Sequence, residues 1–216
     1  MTKEKFIMSF SGGKDSILAL YKMIKKGYEP VALLTTIKKD KEKSWTHHLD
    51  NNFLRRVSES LEIPILLVEC DVDDYERKFE EALFKAKDMG ATICAFGDID
   101  IELHRNWDLD RCKNTGIEAK LPLWQQNREE LVYEFIDSGF ETIINKVNLK
   151  YMGVEFLGKV LDRKIIEDIK LTGADACGEN GEYHTFVIDG PLFKNRINFI
   201  NEGVIKDMNY GYLIIK

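Results

Sequence analysis

A glycine-rich turn between an apolar strand and an amphipathic helix is the feature that most constrains this chain. The run Lys5–Phe10 leads into the hexapeptide Ser11–Ser16, and apolar residues then recur at helical spacing from Ile17 to Ile24. Such a turn presents backbone N–H groups at a helix N-terminus, where the helix dipole adds about half a positive charge. The pattern therefore predicts an anion site, with the Lys14 ammonium and two serine hydroxyls as further donors.

The spacing of this turn distinguishes it from other phosphate loops. A Walker A motif would need a glycine at Met8 and a Ser or Thr at Asp15, and neither is present. The dinucleotide motif fails because no glycine follows Gly13 until Gly27. The hexapeptide instead resembles the pyrophosphate loop of the ATP pyrophosphatases, which cleave ATP between the α- and β-phosphates. The alternative is a strand-to-helix turn without a ligand.

Short apolar runs alternate with helical patterns through the first half of the chain. After the first strand, we predict strands at 30–37, 65–70 and 91–96, and the helices between them end at Gly27, Pro64 and Gly90. This alternation predicts an α/β fold with a parallel sheet and helices on both faces.

The second half is less regular and predicts a smaller α+β domain. We expect domains at 1–118 and 119–216. The predicted elements are an extended segment at 118–124, helices at 128–138 and 159–170, and strands at 141–147, 186–188, 197–199 and 210–215.

Ligands of parallel α/β sheets bind at the carboxyl ends of the strands. The second predicted strand ends at Thr36 and Ile37, where we expect the adenine of ATP. Gly97 and Asp98 follow the fourth strand, and Asp98 is a candidate contact to a metal ion or to ATP. In the next segment, His104 and Arg105 are candidate binding residues, since arginine binds phosphate or carboxylate with two hydrogen bonds.

A second informative segment, Cys177–Val187, has two glycines around two carboxylates just before a strand. Placing Glu179 and Glu182 close together is unfavourable unless a cation or amine lies between them. A hairpin entrance with solvated carboxylates is the alternative.

The loop at Ser11–Ser16 and the segment Cys177–Val187 occur in the chain with Gly97-Asp98-Ile99 and Leu121–Trp124 between them. The chain thereby resembles the diphthine–ammonia ligase family of the ATP pyrophosphatases over residues 6–198, and the segment Glu102–Trp107 resembles its bacterial branch. The resemblance implies an adenine nucleotide α-hydrolase-like first domain. It also implies an amide-forming reaction, in which ATP adenylates a carboxylate, pyrophosphate leaves, and ammonia displaces AMP.

The expected site combines the loop, the strand ends and the second motif. Lys14, Glu179 and Glu182 are the expected catalytic residues; Mg²⁺ is an expected cofactor, with Asp15 and Asp98 as candidate ligands. The acceptor and ammonia are expected to meet His104, Glu179, Asn180, Glu182 and His184. The residues expected to bind ATP are Ser11, Gly12, Gly13, Lys14, Asp15, Ser16, Thr36, Ile37, Gly97, Asp98 and Arg105.

The resemblance also implies partners. They are ATP, free ammonia and a carboxylate acceptor, which is diphthine on elongation factor 2 for an archaeal or eukaryotic protein and is unspecified for a bacterial one. A homodimer is included among the expectations.

Composition limits other functions. The net charge of −6 and a pI near 5.4 argue against nucleic-acid binding. The four cysteines have no short spacing, so they do not predict a metal or disulfide framework. With no signal peptide and no long apolar run, we expect a cytoplasmic protein.

Two other functions remain open from the sequence. One is a transfer-RNA-modifying pyrophosphatase, with Cys177 as a lone sulfur carrier. The other is a sensor that binds ATP without turnover.

Overall fold

The computed structural model describes residues 3–39, 49 and 51–216. By their contacts, the residues form two compact units. The first contains Ser11 and the residues before it with Asp15–Gln125, and the second contains Gly12–Lys14 with Gln126–Lys216. The domain boundary after residue 118 stays a prediction, because these units are defined by contacts and not by independent folding.

The first unit contains a five-stranded parallel sheet of order β3-β2-β1-β4-β5. This confirms the predicted fold class. Its elements are β1 (Lys5–Ser9), α1 (Lys14–Lys25), β2 (Glu29–Lys38), α2 (Asn51–Leu61), β3 (Ile65–Cys70), α3 (Tyr75–Asp88), β4 (Ile93–Ala95), α4 (Glu102–Thr115) and β5 (Glu118–Lys120).

The strand order reverses direction beside β1. The chain steps from β1 to β2 and β3 on one side, and then crosses to β4 and β5 on the other. Because parallel crossovers are right-handed, α1 and α2 cover one face of the sheet and α3 and α4 cover the other. The carboxyl ends of β1 and β4 flank this reversal, which is where open α/β sheets bind their ligands.

Alternating side chains of the central strands fill both faces of the sheet. Ile7, Leu34 and Cys94 pack in one cluster with residues of α3 and α4, including Phe79 and Leu83. The neighbouring residues Phe6, Met8 and Leu33 point the opposite way and are equally buried. Apolar runs without polar alternation therefore form these strands, as expected for a sheet covered on both sides.

The end of β4 lies against the start of α1. A Cβ atom at Gly97 would lie 3.0 Å from the Asp15 carbonyl carbon and 3.0 Å from the Ser16 nitrogen. Only glycine permits this approach without moving backbone.

The second unit contains a four-stranded antiparallel sheet of order β7-β6-β9-β8. Its elements are α5 (Arg128–Asp137), β6 (Glu141–Asn148), α6 (Arg163–Leu171), β7 (Tyr183–Asp189), β8 (Asn201–Lys206) and β9 (Tyr210–Ile215). The helix predicted from residue 159 begins later, because the Asp162 side chain caps it by accepting a hydrogen bond from the Ile165 N–H at 2.8 Å.

The strand predicted at 197–199 is wrong. Ile197 is buried and its N–H donates to the Ile188 carbonyl at 2.8 Å, but the segment has no strand structure. Its apolar side chains serve packing, as where Phe199 meets Phe186 edge-on at 5.2 Å. The strand lies instead at β8, which is exposed along its length and so lacks apolar alternation.

Within the described part of the chain, no helix has both the length and the apolar character to cross a membrane.

We predict that Gly97→Ala destabilises the first unit. The new Cβ would overlap backbone, so we expect the free energy of unfolding to fall by roughly 1–3 kcal/mol in urea titrations. Gly27→Ala is the contrast, since no atom lies within 4 Å of its Cβ position and only its positive φ of 93° causes strain. A Gly97→Ala variant as stable as the parent would contradict the close approach.

Candidate active site

Hydrogen bonds at the ends of β1 and β2 fix the start of the glycine-rich loop. The Phe10 N–H donates to the Leu34 carbonyl at 2.7 Å, and the Thr35 hydroxyl donates to the Phe10 carbonyl at 2.6 Å. The Ser11 hydroxyl then donates to the Ser16 hydroxyl at 3.2 Å, across the turn. The two predicted serine donors are thus held side by side.

The middle of the loop, Gly12–Lys14, makes its contacts within the second unit. The Val187 N–H on the edge of β7 donates to the Gly12 carbonyl at 2.9 Å. The Lys14 N–H donates to the Thr185 hydroxyl at 3.2 Å. Gly12 has a φ of 82°, a conformation that a side chain would strain.

The Lys14 side chain is 5% exposed and lies over an aromatic ring of the same unit. Its ammonium is 5.5 Å from the centre of the Tyr183 ring. A largely desolvated ammonium interacts more strongly with an anion than one in bulk water. The structure thus places one largely buried ammonium group at the loop.

The residues at the end of β2 differ in character. Thr36 shares a hydrogen bond of 3.2 Å with the Tyr75 hydroxyl, and burial raises the pKa of Tyr75. Ile37 is buried in the core. Of these two predicted adenine contacts, Thr36 therefore has a polar side chain that is partly exposed, whereas the Ile37 side chain belongs to the core.

Two carboxyl groups meet beyond the end of β4. Asp98 follows Gly97 and hydrogen-bonds the His104 Nδ1 at 3.1 Å. Asp108, one helical turn after His104 on α4, is 3% exposed, and its Oδ2 has no hydrogen-bond partner within residues 3–39, 49 and 51–216. Burial raises the pKa of Asp108 to about 10, and the adjacent Asp98 carboxylate adds to the effect. Asp108 is therefore a neutral acid near pH 7.

Arg105 lies on the same helix and is held from two sides. Its guanidinium is 5.2 Å from the centre of the Trp124 ring and donates to the Glu102 carboxylate at 3.3 Å. The predicted ATP contact thus has a defined position in the first unit.

Glu182 organises the turn that precedes β7. It is 4% exposed, and its carboxylate accepts hydrogen bonds from the Asn180 N–H at 3.0 Å, the Asn180 side-chain amide at 3.1 Å and the Asp175 N–H at 3.4 Å. These donors replace the water that a buried carboxylate loses. Glu182 thus holds the turn together from a buried position.

Further contacts tie this turn to its surroundings. Arg128 forms an ion pair with Asp175, and the Tyr183 hydroxyl donates to the Ala176 carbonyl at 2.6 Å. A Cβ atom at Gly178 would lie 2.7 Å from the Tyr183 ring, so the ring packs on the glycine.

The remaining predicted residues of this motif are more accessible. Glu179 and His184 are half-buried, and Asn180 is exposed. His184 lies opposite Lys146 in the register of β7 and β6.

Several site residues were missed from the sequence. Tyr183 and Thr185 point to one side of β7 because alternate strand residues share a face, and this spacing within the quoted motif was an available signal. Asp108 had no signal of its own, since a single acidic residue on a helix is usually solvent-exposed. Tyr75 was found only as part of the apolar face of the third helix.

Among the described residues, no group of three or more His, Cys, Asp or Glu side chains is arranged to hold a metal ion. The predicted ligands Asp15 and Asp98 belong to two backbone segments that lie side by side, because Gly97 packs against the backbone of Asp15 and Ser16.

The reversed parallel sheet, with a glycine-rich loop after its first strand, is the arrangement of an ATP pyrophosphatase domain. The match to family models identifies the particular family. The diphthamide synthase N-terminal domain matches residues 4–119, and the diphthamide synthase C-terminal domain matches residues 127–216. The chain belongs to the diphthamide synthase family, as its motifs predicted.

Named relatives agree with this assignment. The diphthine–ammonia ligases of Rattus norvegicus and Homo sapiens are each 29% identical over 220 residues, covering 87% of this chain and 79% of theirs. A solved structure, the predicted subunit of tRNA methyltransferase from Methanocaldococcus jannaschii DSM, has a TM-score of 0.46 at 17% identity, covering 89% of this chain and 100% of that one. The family and its named relatives support the predicted class of activity, an ATP-dependent amide-forming ligase. They do not favour the tRNA-modifying or sensor alternatives.

We predict that Asp108→Asn stabilises the protein at neutral pH. A carboxyl group whose pKa rises on folding stabilises fully only below its unfolded pKa of about 4, and this stability is lost as pH rises towards the folded value. Asparagine is neutral without taking up a proton on folding, so we expect the free energy of unfolding at pH 7 to rise by roughly 1–3 kcal/mol in the variant. The free energy of unfolding of the variant should also decline less steeply between pH 4 and pH 9.

Urea titrations across this pH range measure both effects. Asp110→Asn, on the exposed side of the same helix, is the matched control and should change neither. A steeper decline in the Asp108→Asn variant would show that Asp108 is ionised in the folded protein.

Proposed function

We propose that this protein uses ATP to adenylate the carboxylate of diphthine, the acceptor in the names of its relatives, and that ammonia then displaces AMP to form the amide. One observation carries the proposal. The Lys14 N–H and ammonium both contact β7, immediately after the carboxylate motif that ends at Glu182. Residues Gly12–Lys14 of the pyrophosphate loop thus belong to the same unit as the motif that we propose for the acceptor.

The loop would supply charge stabilisation for the first step. The acceptor carboxylate attacks the α-phosphorus of ATP, and the bond to the β-phosphate oxygen breaks. Negative charge then grows on the leaving pyrophosphate. Lys14 is the residue we assign to this charge, since its own N–H is already engaged by Thr185 and its ammonium is the stronger donor.

Mg²⁺ fits a site of this kind through carboxylates near the phosphates. Magnesium bound with nucleotides commonly uses one or two protein carboxylates, with water and phosphate as its other ligands. Of the two predicted ligands we propose Asp15, because it lies in the first turn of α1, directly after Lys14 of the loop. When bound, the ion would neutralise charge on the phosphates.

The two glutamates would have different tasks. The Glu182 carboxylate already accepts hydrogen bonds from N–H donors of Asp175 and Asn180, so we propose that it fixes the conformation of the turn before β7. Glu179 is half-buried, and we propose that it holds ammonium near the acceptor and accepts the proton whose loss leaves ammonia as the nucleophile. Asn180 and His184 are proposed to border the acceptor. The homodimer and the cytoplasmic location stay predictions.

The direct test is product analysis. The protein is incubated with ATP, Mg²⁺, ammonium and elongation factor 2 carrying diphthine, and the nucleotide products are separated by chromatography. Release of AMP and pyrophosphate that depends on both acceptor and ammonium would support the proposal. Release of ADP and inorganic phosphate would contradict adenylation.

We predict that Lys14→Met lowers the rate of AMP formation by about 100-fold or more, because the charge on the leaving group loses its principal partner. The methionine keeps the apolar stem against Tyr183, so we expect the thermal unfolding curve to be nearly unchanged. Lys25→Met is the control, since this lysine also lies over a tyrosine ring, at 4.6 Å from Tyr21, but at the other end of α1. Equal effects of the two substitutions would remove the assignment of Lys14.

We predict opposite results for the two glutamates. Glu182→Gln should lower the free energy of unfolding by about 1–3 kcal/mol, because an amide cannot accept from all the donors that the carboxylate engages. Glu179→Gln should leave stability within about 0.5 kcal/mol and slow amide formation while ATP affinity is unchanged. Urea titration and single-turnover amidation distinguish them. The reverse pattern would exchange the two roles.

A further inference from the structure

The outer edge of β8 is an open edge of the sheet in the second unit. β8 is the last strand in the order β7-β6-β9-β8, so among the described residues it pairs only with β9. All six of its residues are exposed. Natural proteins protect such edges with proline, charge or a covering segment, because an open edge can pair with another chain. β8 contains no proline and a single lysine, Lys206.

Large apolar side chains are exposed along this edge and at its two ends. Val204 and Ile205 in the strand are 44% and 56% exposed, and the flanking Ile200 and Met208 are 64% and 95% exposed. Single exposed apolar residues are normal on a protein surface, whereas a contiguous group of them marks an interaction site. The segment 200–208 is therefore a candidate interface.

We propose that the outer edge of β8 pairs antiparallel with the same edge of a second copy of this chain, about a two-fold axis at Val204. The two four-stranded sheets then form one continuous sheet. A homodimer is an expectation of the family resemblance, and the proposal adds its surface, its register and the charges that select that register. It does not rest on the ATP chemistry proposed above.

The backbone of β8 presents the groups that this pairing requires. The Asp207 N–H donates to the Tyr210 carbonyl at 2.9 Å, which fixes the alternation of hydrogen bonds between β8 and β9. In an antiparallel pair, alternate residues direct their N–H and C=O groups to the neighbouring strand, and the residues between them direct theirs away. The backbone groups of Ile205 therefore face β9, whereas those of Val204 and Lys206 face outward. An axis at Val204 lets its N–H and C=O groups bond those of the second copy.

Charge complementarity selects this register. An axis at Val204 places Glu202 opposite Lys206 of the second copy, and the symmetry makes this pair twice. Both side chains are exposed. An axis at Ile205 would place Glu202 opposite Met208 instead and would form no charge pair. An axis at Lys206 would place two lysines opposite each other, which is unfavourable.

The apolar side chains fit the same register. Ile205 comes to lie opposite Gly203 of the second copy, and the Cβ position at Gly203 has no atom within 4 Å. Glycine in a strand commonly marks a site where another group approaches closely. Ile214 lies opposite Gly203 on β9 and is half-buried, so it offers an apolar neighbour for the incoming side chain. The exposed Ile205 thereby loses contact with water.

The length of the edge limits the strength of the contact. The register of β8 and β9 shifts between Asn201 and Gly203, and the strand ends at Lys206, so the regular pairing is short. Interfaces that bury less than about 1,200 Å² are typical of weak or transient complexes. We therefore expect a dissociation constant of roughly 1–100 μM. Association should be stronger at low salt, because exposed ion pairs are screened.

The test is sedimentation velocity of the full chain from about 1 to 300 μM, at roughly 50 mM salt. Glu202→Lys and Lys206→Glu should each weaken the dimer about 10-fold or more, because both symmetric pairs become like-charged. The double variant exchanges the two charges and should restore the dissociation constant to within about 3-fold of the parent. Lys164→Glu is the matched control, since it makes the same charge change at an exposed position of α6. It should dimerise as the parent does.

Amide hydrogen exchange of the parent chain gives a measurement that needs no variant. The Val204 N–H should exchange more slowly as the protein concentration rises, whereas the Ile205 N–H should change less, because it faces β9 in both states. Circular dichroism spectra of the variants should match the parent, since the substituted side chains are exposed. A dimer that persists in both single variants, or a charge exchange that does not restore association, would overturn the proposal. A chain that stays monomeric over the whole concentration range would overturn it as well.

Discussion

Two hydrogen bonds between the glycine-rich loop and β7 determine what the rest of the site can do. The Val187 N–H reaches the Gly12 carbonyl, and the Lys14 N–H reaches the Thr185 hydroxyl. The first occupies a loop carbonyl and the second occupies a loop N–H, so the loop is held in place before any ligand arrives. A preorganised donor set costs little reorganisation when charge develops on a leaving group. The orientation of Lys14 over Tyr183 follows from the same attachment.

Two buried carboxyl groups illustrate two solutions to the same energetic problem. A carboxylate without water is costly unless donors or a proton replace the lost solvation. Glu182 remains next to three N–H donors from its own turn, whereas Asp108 lacks a partner for one oxygen within the described residues and instead has a raised pKa. The first solution makes a rigid turn. The second leaves a group whose charge depends on pH.

The sequence predicted what depends on local periodicity and missed what depends on tertiary contact. The parallel strands were found because apolar runs alternate with helical patterns, and the loop was found because Ser11–Ser16 has distinctive spacing. β8 was missed because it is exposed along its length and has no apolar alternation. Residues 197–199 were mistaken for a strand because their apolar side chains pack against the core without strand structure. The partners of Glu182 and the burial of Asp108 come from residues that spacing alone does not bring together.

A chain with a net charge of −6 nevertheless has the features needed to hold a polyanion. At physiological salt, charges are screened over about 8 Å, so the local arrangement decides which ions bind. In the first unit, the Asp98 carboxylate follows Gly97, which lies against the first turn of α1, and it hydrogen-bonds the His104 Nδ1 at 3.1 Å. Burial raises the pKa of Asp108 to about 10, so this second carboxyl adds little negative charge beside Asp98 at neutral pH.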